Sequence, residues 1–342
     1  MRTDKSQRGF SLIEIMVGIV IGMIAVLVIY QVFAAAEGIK RNTTSVGDAQ
    51  QNGLLSSFML NIELANANNG MAFAMKELGT CPATVNPATT FRPIPVLISD
   101  GAADDVPDAM VINYSQAQRL VAPAPFLASA AAGADYAVQS PLGFKTGDLV
   151  LAISLAGDCA ISRVLGVTAP DVNGMVTVSH TGAAVGFSTD SQLLNLGPKS
   201  SNQRMAYDVA GGVLRSTQLW AADGSPAAAA PNPIASNIVN LKAVYGIDNG
   251  VGGVTWTAAT GQWSDANVLA ANISQLSKIR AVRIGIVVRG EQWDKSAGNY
   301  TWTLFDGAVQ RTGTINAAGG NYRYRVYETT VPLRNPIWNP VS

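Results

Sequence analysis

The chain is short of charge. Asp, Glu, Lys and Arg make up 13% of its 342 residues, about half the share usual in a soluble globular domain. The charge that is present cancels, 23 basic against 23 acidic side chains, so the basic surplus of a nucleic-acid binder is missing. Histidine occurs once, at His180. That excludes a multi-histidine metal centre, and any serine–histidine triad would have to use this one ring. No nucleophile elbow, phosphate loop, dinucleotide fingerprint or metal motif is found. No catalytic residue, cofactor, metal or small-molecule substrate is therefore expected, and the protein is not read as an enzyme. There are two cysteines, Cys81 and Cys159, at a spacing unlike that of zinc ligands. In an oxidising compartment one such pair reads as a disulfide. The bridge would close a long loop, worth about 4 kcal/mol by chain entropy. Two unlinked core thiols are the alternative.

What the chain does have is one long apolar run. Residues 1–9 are polar, with Arg2, Lys5 and Arg8 against Asp4. Phe10 then opens a stretch that continues to Ala36 with Glu14 as its one charge. As a helix this run is about 40 Å long, enough to span a bilayer with some tilt. The basic leader stays cytoplasmic by the positive-inside rule, which sends the rest of the chain outward. An ordinary signal peptide has a shorter apolar region ending in a small-residue cleavage site. A plain signal anchor does not account for Glu14, since a carboxyl in hydrocarbon is costly and needs a partner or a purpose.

Gly9-Phe10-Ser11-Leu12-Ile13-Glu14 resembles the prepilin signature of type IV pilins and type II secretion pseudopilins. The resemblance implies cleavage between Gly9 and Phe10 by a prepilin peptidase, N-methylation of Phe10, and a role for Glu14 in entry to the filament. Physically, the Phe10 amine would be a positive charge at a helix N-terminus. A carboxylate one turn along on a neighbouring subunit would neutralise it and fix the register between subunits. Gly18 and Gly22 form a small-xxx-small pair suited to close helix–helix approach, or simply loosen the helix.

Beyond residue 37 polarity rises, while Val46, Ala49, Gly53/Leu54, Phe58, Ile62 and Ala65 recur at helical spacing. The amphipathic continuation is expected over 37–66, stopped by the Asn-rich stretch 66–70, unless Gly38, Gly47 and Gly53 break it. From 70 to 342 short β-type runs alternate with turn clusters. Strands are expected at Ile94–Ser99, Met110–Tyr114, Asp148–Leu155, Ile161–Thr168, Met175–Ser179, Arg204–Val209 and Val213–Leu219. Further strands are expected at Ile238–Ile247, Lys278–Arg289, Tyr300–Phe305 and Tyr322–Leu333. Segments 100–109, 116–147, 221–236 and 306–321 read as loops. The fold class is α+β: a long N-terminal helix, membrane-spanning in its first half, packed on a β-rich, mainly antiparallel periplasmic head. The head is either one sheet system or two subdomains divided near residue 200.

Three passages near the C-terminus resemble the PilW family of type IV pilus minor pilins. They are Asn240-Leu241-Lys242-Ala243-Val244-Tyr245-Gly246-Ile247-Asp248, Ala281-Val282-Arg283-Ile284, and Tyr322-Arg323-Tyr324-Arg325-Val326-Tyr327 followed by Val331-Pro332-Leu333-Arg334-Asn335. The resemblance implies a minor pilin, resident in the inner membrane and then in an extracellular pilus, with other minor and major pilins as partners. A type II secretion minor pseudopilin of the J type, and a tip adhesin or DNA-uptake subunit, are the alternatives. For the last, Arg280, Arg283 and Arg289 are the basic patch to examine. Nucleic acid is otherwise not indicated. Asp104, Asp105 and Asp108 offer oxygen ligands for calcium without EF-hand spacing, and a solvated loop is the simpler reading. His180 is expected at a strand end. Asp248-Asn249-Gly250 reads as a turn between strands, and Trp256, Trp263, Trp293, Trp302 and Trp338 as core and rim.

Overall fold

The computed structural model describes residues 10–71, 94–115, 123–139, 143–155, 158–183, 185–198, 200, 202–220, 230–294, 298–316 and 321–334. A single helix, α1, runs from Leu12 to Asn66 over 55 residues, about 80 Å at 1.5 Å per residue. None of its glycines interrupts it. It ends where expected, at the asparagines: Asn68 takes a left-handed φ of 63°, and its N–H leaves the helix to donate to the Asn113 carbonyl at 2.7 Å.

The head buries only the upper part of α1. Residues 10–41 are all exposed. The buried positions are Ser45, Ala49, Gly53, Ser56, Leu60 and Leu64, spaced three or four apart. This corrects the expected stripe: Ala49 and Gly53 belong to it, but Leu54, Phe58 and Ile62 are 53%, 62% and 40% exposed. The contact is set by small residues because helix and strands approach closely. A Cβ on Gly53 would overlap the Tyr327 ring, and one on Gly290 would overlap Ser45.

The strands are β1 (Val96–Ser99), β2 (Ala109–Ser115), β3 (Ala124–Pro125), β4 (Tyr136–Gln139), β5 (Asp148–Ile153), β6 (Cys159–Val167), β7 (Met175–His180), β8 (Gln192–Pro198) and β9 (Asn202–Ala210). Then come β10 (Val213–Gln218), β11 (Asn232–Ser236), β12 (Ile238–Asp248), β13 (Val254–Ala258), β14 (Ile279–Arg289), β15 (Tyr300–Leu304), β16 (Arg311–Ile315) and β17 (Tyr324–Pro332). Short helices α2 (Asp265–Ala270) and α3 (Ile273–Leu276) lie between β13 and β14. All recorded pairings are antiparallel. Every expected strand is present in part or whole. The segments read as loops hold further strands: β3 and β4 within 116–147, β11 within 221–236, and β16 within 306–321. β8, β13, α2 and α3 were not anticipated.

Two sheets share the main core with α1. One has the order β1-β2-β9-β10-β11 and the other β13-β12-β14-β17. Alternation along β14 does what period two predicts: Val282, Ile284, Ile286 and Val288 face the core with α1. On the other face, Val287 packs with Val244, Trp302, Leu304 and Phe305 under the β15–β16 hairpin.

The third sheet, β3-β8-β5-β6-β7-β4, comes from residues 123–198 and closes on itself. Phe126 bridges Val138, and Leu127 N–H donates to the Ala137 carbonyl at 2.8 Å, joining β3 to β4. Its interior is filled by Tyr136, Val138, Val150, Ala160, Val178 and Leu193 among others. One outer face, with Leu149, Leu151, Ile161 and Leu194, packs on Met71 and Trp220. This barrel is an insertion. Ser115 at the end of β2 and Asn202 at the start of β9 are direct register partners, so the chain leaves and re-enters the first sheet at facing residues. Residue 200 is one edge of the insertion. A single division there would separate β2 from its neighbour β9.

Candidate functional site

The segment the sequence singles out stands clear of the head. Gly9 lies outside the described residues. Phe10 is 79% exposed, and Glu14 sits in the first turn of α1, its N–H donating to the Ser11 carbonyl at 3.0 Å. Among the described residues the Glu14 carboxylate has no ion-pair or hydrogen-bond partner. Gly18 and Gly22 lie on one face, four apart, and a Cβ at either would meet nothing within 4 Å. Ile, Val, Leu, Met and Phe side chains from 10 to 33 are half or more exposed. The helix is long and apolar enough to cross a membrane, with none of its most apolar stretch buried in the protein. A bare apolar surface of this extent is the mark of a membrane or of partner helices.

The head grips the other end of this helix with polar as well as apolar contacts. The Tyr114 hydroxyl donates to Glu63 Oε2 at 2.6 Å, and Tyr207 also bonds Glu63. Burial, reinforced by the carboxylate charge, pushes both phenols well above their ordinary range. Gln292 N–H donates to Ser45 Oγ at 3.4 Å, and Ser115 N–H to the Asn69 carbonyl at 2.7 Å. The head is thus fixed to a helix whose first 33 residues, 12–44, hold no buried position.

The remaining sequence candidates resolve into structure. The aspartate loop is neither a calcium cage nor freely solvated. Asp108, 2% exposed, accepts from Lys242 Nζ at 2.8 Å, from Gly101 N–H at 3.0 Å and from Ala243 N–H at 2.8 Å. Lys242, 1% exposed, also donates to the carbonyls of Ala103 (2.9 Å) and Val106 (2.6 Å), so all three of its protons are used. Desolvation pushes the Asp108 carboxyl up against the pull of that ammonium and the backbone donors. Asp100 and Asp104 face Arg311 at 3.2 and 3.6 Å. Among the described residues no group of acidic, His or Cys side chains could hold a metal.

His180 does end a strand. It stacks on Tyr136 with centroids 3.8 Å apart, and its ring nitrogens lie 2.8 and 2.9 Å from the carbonyls of Thr181 and Ala134. Asp248 to Gly250 is the expected turn, with Gly250 N–H donating to Asp248 Oδ1 at 2.8 Å. The arginines are not a free basic patch. Arg280 pairs with Asp248 at 3.0 Å. Arg283 pairs with Asp306 at 2.6 Å and Glu328 at 2.8 Å, and Arg289 lies 4.4 Å over the Tyr322 ring. Trp263 and Trp302 are core residues, Trp256 is half-buried, and Trp293 is 56% exposed. Trp338 and Cys81 lie outside the described residues. Cys159 is 4% exposed and is not a free thiol.

Sequence reasoning missed Lys242 and Glu63. Lys242 did leave a signal: it is the one charge in the otherwise uncharged stretch 238–247, where an unpaired lysine would be costly.

Two family models match the chain. Residues 4–30 match the prokaryotic N-terminal methylation motif, which covers Gly9, Phe10, Glu14, Gly18 and Gly22. Residues 206–335 match type IV pilus-assembly protein W, running from within β9 through β17. The inserted barrel lies between the two matches. No curated protein and no solved structure matches the chain. With the methylation motif at the foot of its bare helix and the pilus-assembly match over the sheet that grips the other end, the chain carries the two sequence signatures of a type IV pilus-related pilin.

Proposed function

We propose that this protein is a minor pilin that takes part in assembling or priming a type IV pilus, through helix packing and head contacts and without catalysis. The observation that carries this reading is the bare apolar helix with one acid, Glu14, four residues beyond Phe10 and without a partner among the described residues. In this reading the prepilin peptidase cuts between Gly9 and Phe10 and methylates Phe10. The chain then rests in the inner membrane with its head in the periplasm, and enters the filament when Glu14 neutralises the Phe10 amine of a neighbour. Gly18 and Gly22 let neighbouring helices approach. Other minor and major pilins are the partners of the head. A Cys81–Cys159 bridge, formed on export, belongs to the same reading. The pairing of Arg280 and Arg283 with carboxylates speaks against nucleic-acid uptake through that face.

The test is an in-frame deletion in the native host, complemented with wild type or Glu14→Ala and scored for surface pili and for exoenzyme secretion. Loss of pili with normal secretion, rescued by wild type and not by Glu14→Ala, is the expected result. Normal pili with blocked secretion would assign the chain to a type II secretion pseudopilus instead. Intact mass of the mature chain checks processing, and a product that retains residues 1–9 would overturn it.

A further inference from the structure

The end of the head nearest the bare helix has a composition of its own. β17 runs alongside α1 in the same direction. Tyr327 meets Gly53, and four residues earlier the Arg323 carbonyl lies beside Gly290 where that residue meets Ser45. Descending from Tyr327 to Arg323, about 13 Å of strand, therefore follows α1 from Gly53 down to Ser45, about 12 Å of helix. The start of β17 points at the membrane segment. Beside it run residues 290–294, with Gly290 N–H donating to the Arg323 carbonyl at 2.6 Å and Asp294 N–H to the Asn321 carbonyl at 2.7 Å. This rim carries Trp293, the only tryptophan among the described residues that is largely exposed. It also carries Arg325, exposed, and a tyrosine pair, Tyr300 stacked on Tyr324 with centroids 5.1 Å apart. A shallow cleft lined by Val46, Tyr300, Tyr322 and Arg325 continues the rim onto the helix.

The height of the rim is fixed by the helix. The apolar run ends at Ala36, and Ser45, the first buried residue, is nine residues on, about 14 Å along the axis. One headgroup layer is about 5–8 Å thick. Asp294 meets Asn321, up to about 7 Å of chain nearer the membrane than Arg323, which brings Trp293 close to the headgroups. The apolar run is about 40 Å long against a hydrocarbon core of about 30 Å, so the helix has length to spare for tilting. A tilt towards β17 lowers the rim. An exposed Trp with half-buried Tyr and an exposed Arg at this height is what a bilayer interface selects.

We propose that, before assembly, this rim rests on the outer face of the bilayer, with Trp293 at headgroup level and Arg325 towards lipid phosphate. The head then leans on the membrane until the subunit is extracted. The proposal rests on the membrane-anchored reading given above. The test places the full chain in phosphatidylethanolamine–phosphatidylglycerol vesicles whose acyl chains carry bromine either just below the headgroups or deep in the bilayer. Tryptophan emission is read for wild type, Trp293→Phe and Arg325→Gln after flotation. The expected result is a component quenched more by shallow than by deep bromine, lost in Trp293→Phe and weakened in Arg325→Gln. Flotation with the same quenching in wild type and Trp293→Phe would overturn the rim contact while leaving the anchor intact. Failure to float would remove the anchored reading and the proposal with it. Protection of Trp293 from aqueous quenchers in pili but not in vesicles would assign the rim to a neighbouring subunit and refute a lipid contact.

Discussion

Lys242→Met tests how the two main sheets are held together. Lys242 on β12 reaches the loop between β1 and β2 and there meets Asp108 and two backbone carbonyls. Methionine keeps the volume of the stem and removes the charge. Asp108 is left as a buried carboxylate with two backbone donors, and the Ala103 and Val106 carbonyls lose their partner. Breaking one side of such a pair costs about 3–5 kcal/mol, which lowers the folding equilibrium constant by two to three and a half orders of magnitude at about 1.4 kcal/mol per tenfold. Acid should narrow the deficit. Burial already raises the Asp108 carboxyl in the native state, and loss of its cation raises it further. A carboxyl whose native value lies above its unfolded value of about 3.9 binds a proton more readily when folded. Stability then falls as pH rises through the window between the two values and is lowest above it. The assay is urea unfolding of the full chain in detergent, followed by emission from the buried Trp263 and Trp302, at neutral pH and near pH 4.5. A loss below about 1 kcal/mol, or a deficit that does not shrink in acid, would refute the account. Adding Asp108→Leu to Lys242→Met should cost less than the sum of the two single changes.

Gly53→Ala should destabilise by about 1–3 kcal/mol from overpacking against Tyr327, despite the roughly 1 kcal/mol that alanine gains over glycine in a helix. Gly18→Ala and Gly22→Ala, with open space around each, should leave denaturation of the isolated chain unchanged or slightly improved and act only on pilus assembly. Alkaline pH should unfold the head. Burial pushes Tyr136 up to about 12 and raises Tyr114, Tyr207 and Tyr245 as well, so above the unfolded value of about 10 only the unfolded chain ionises. Stability should then fall by up to about 1.4 kcal/mol per pH unit and per tyrosine, and absorbance near 295 nm should show phenols that ionise only on unfolding. Replacing residues 116–201 by a short turn should leave a folded host head with native-like near-ultraviolet circular dichroism, since Ser115 and Asn202 already face each other across β2 and β9.

The parts of this protein that were legible in its sequence are those where one physical demand acts on neighbouring residues. A bilayer requires an unbroken apolar run, and Phe10 to Ala36 supplies one with a single acid in it. A sheet with both faces covered requires runs such as those of β12 and β14, and these were found nearly to the residue. The strands missed are short or lack β-branched residues. β4 has four residues and β8 reads Gln-Leu-Leu-Asn-Leu-Gly-Pro, so each depends on partners distant in the chain. The buried stripe of α1 was misplaced for a related reason. Hydrophobic periodicity finds large side chains, whereas this contact is made by Ser45, Ala49, Gly53 and Ser56, and the large ones nearby, Leu54 and Phe58, are left outside. The lysine–aspartate pair joins residues 134 apart, and nothing in the local pattern connects them.

The same distinction bears on how the molecule divides its work. The two stretches that match known families, 4–30 and 206–335, supply the first part of the bare helix, the β13-β12-β14-β17 sheet that grips its upper part, and β10, β11 and half of β9 from the first sheet. With β1, β2, the start of β9 and the rest of α1 they form a host for the barrel. The barrel enters that host between two facing residues and packs on it through one outer face, which includes Cys159, against Met71 and Trp220. Its interior aromatic cluster of Phe126, Tyr136 and Phe187 contributes nothing to the core that holds α1. A unit with its own core and one docking face can change without disturbing the helix grip. Variation in what the head contacts is therefore better tolerated in the barrel than in the sheets around α1, where Tyr327 against Gly53 or Lys242 against Asp108 leaves no room for it.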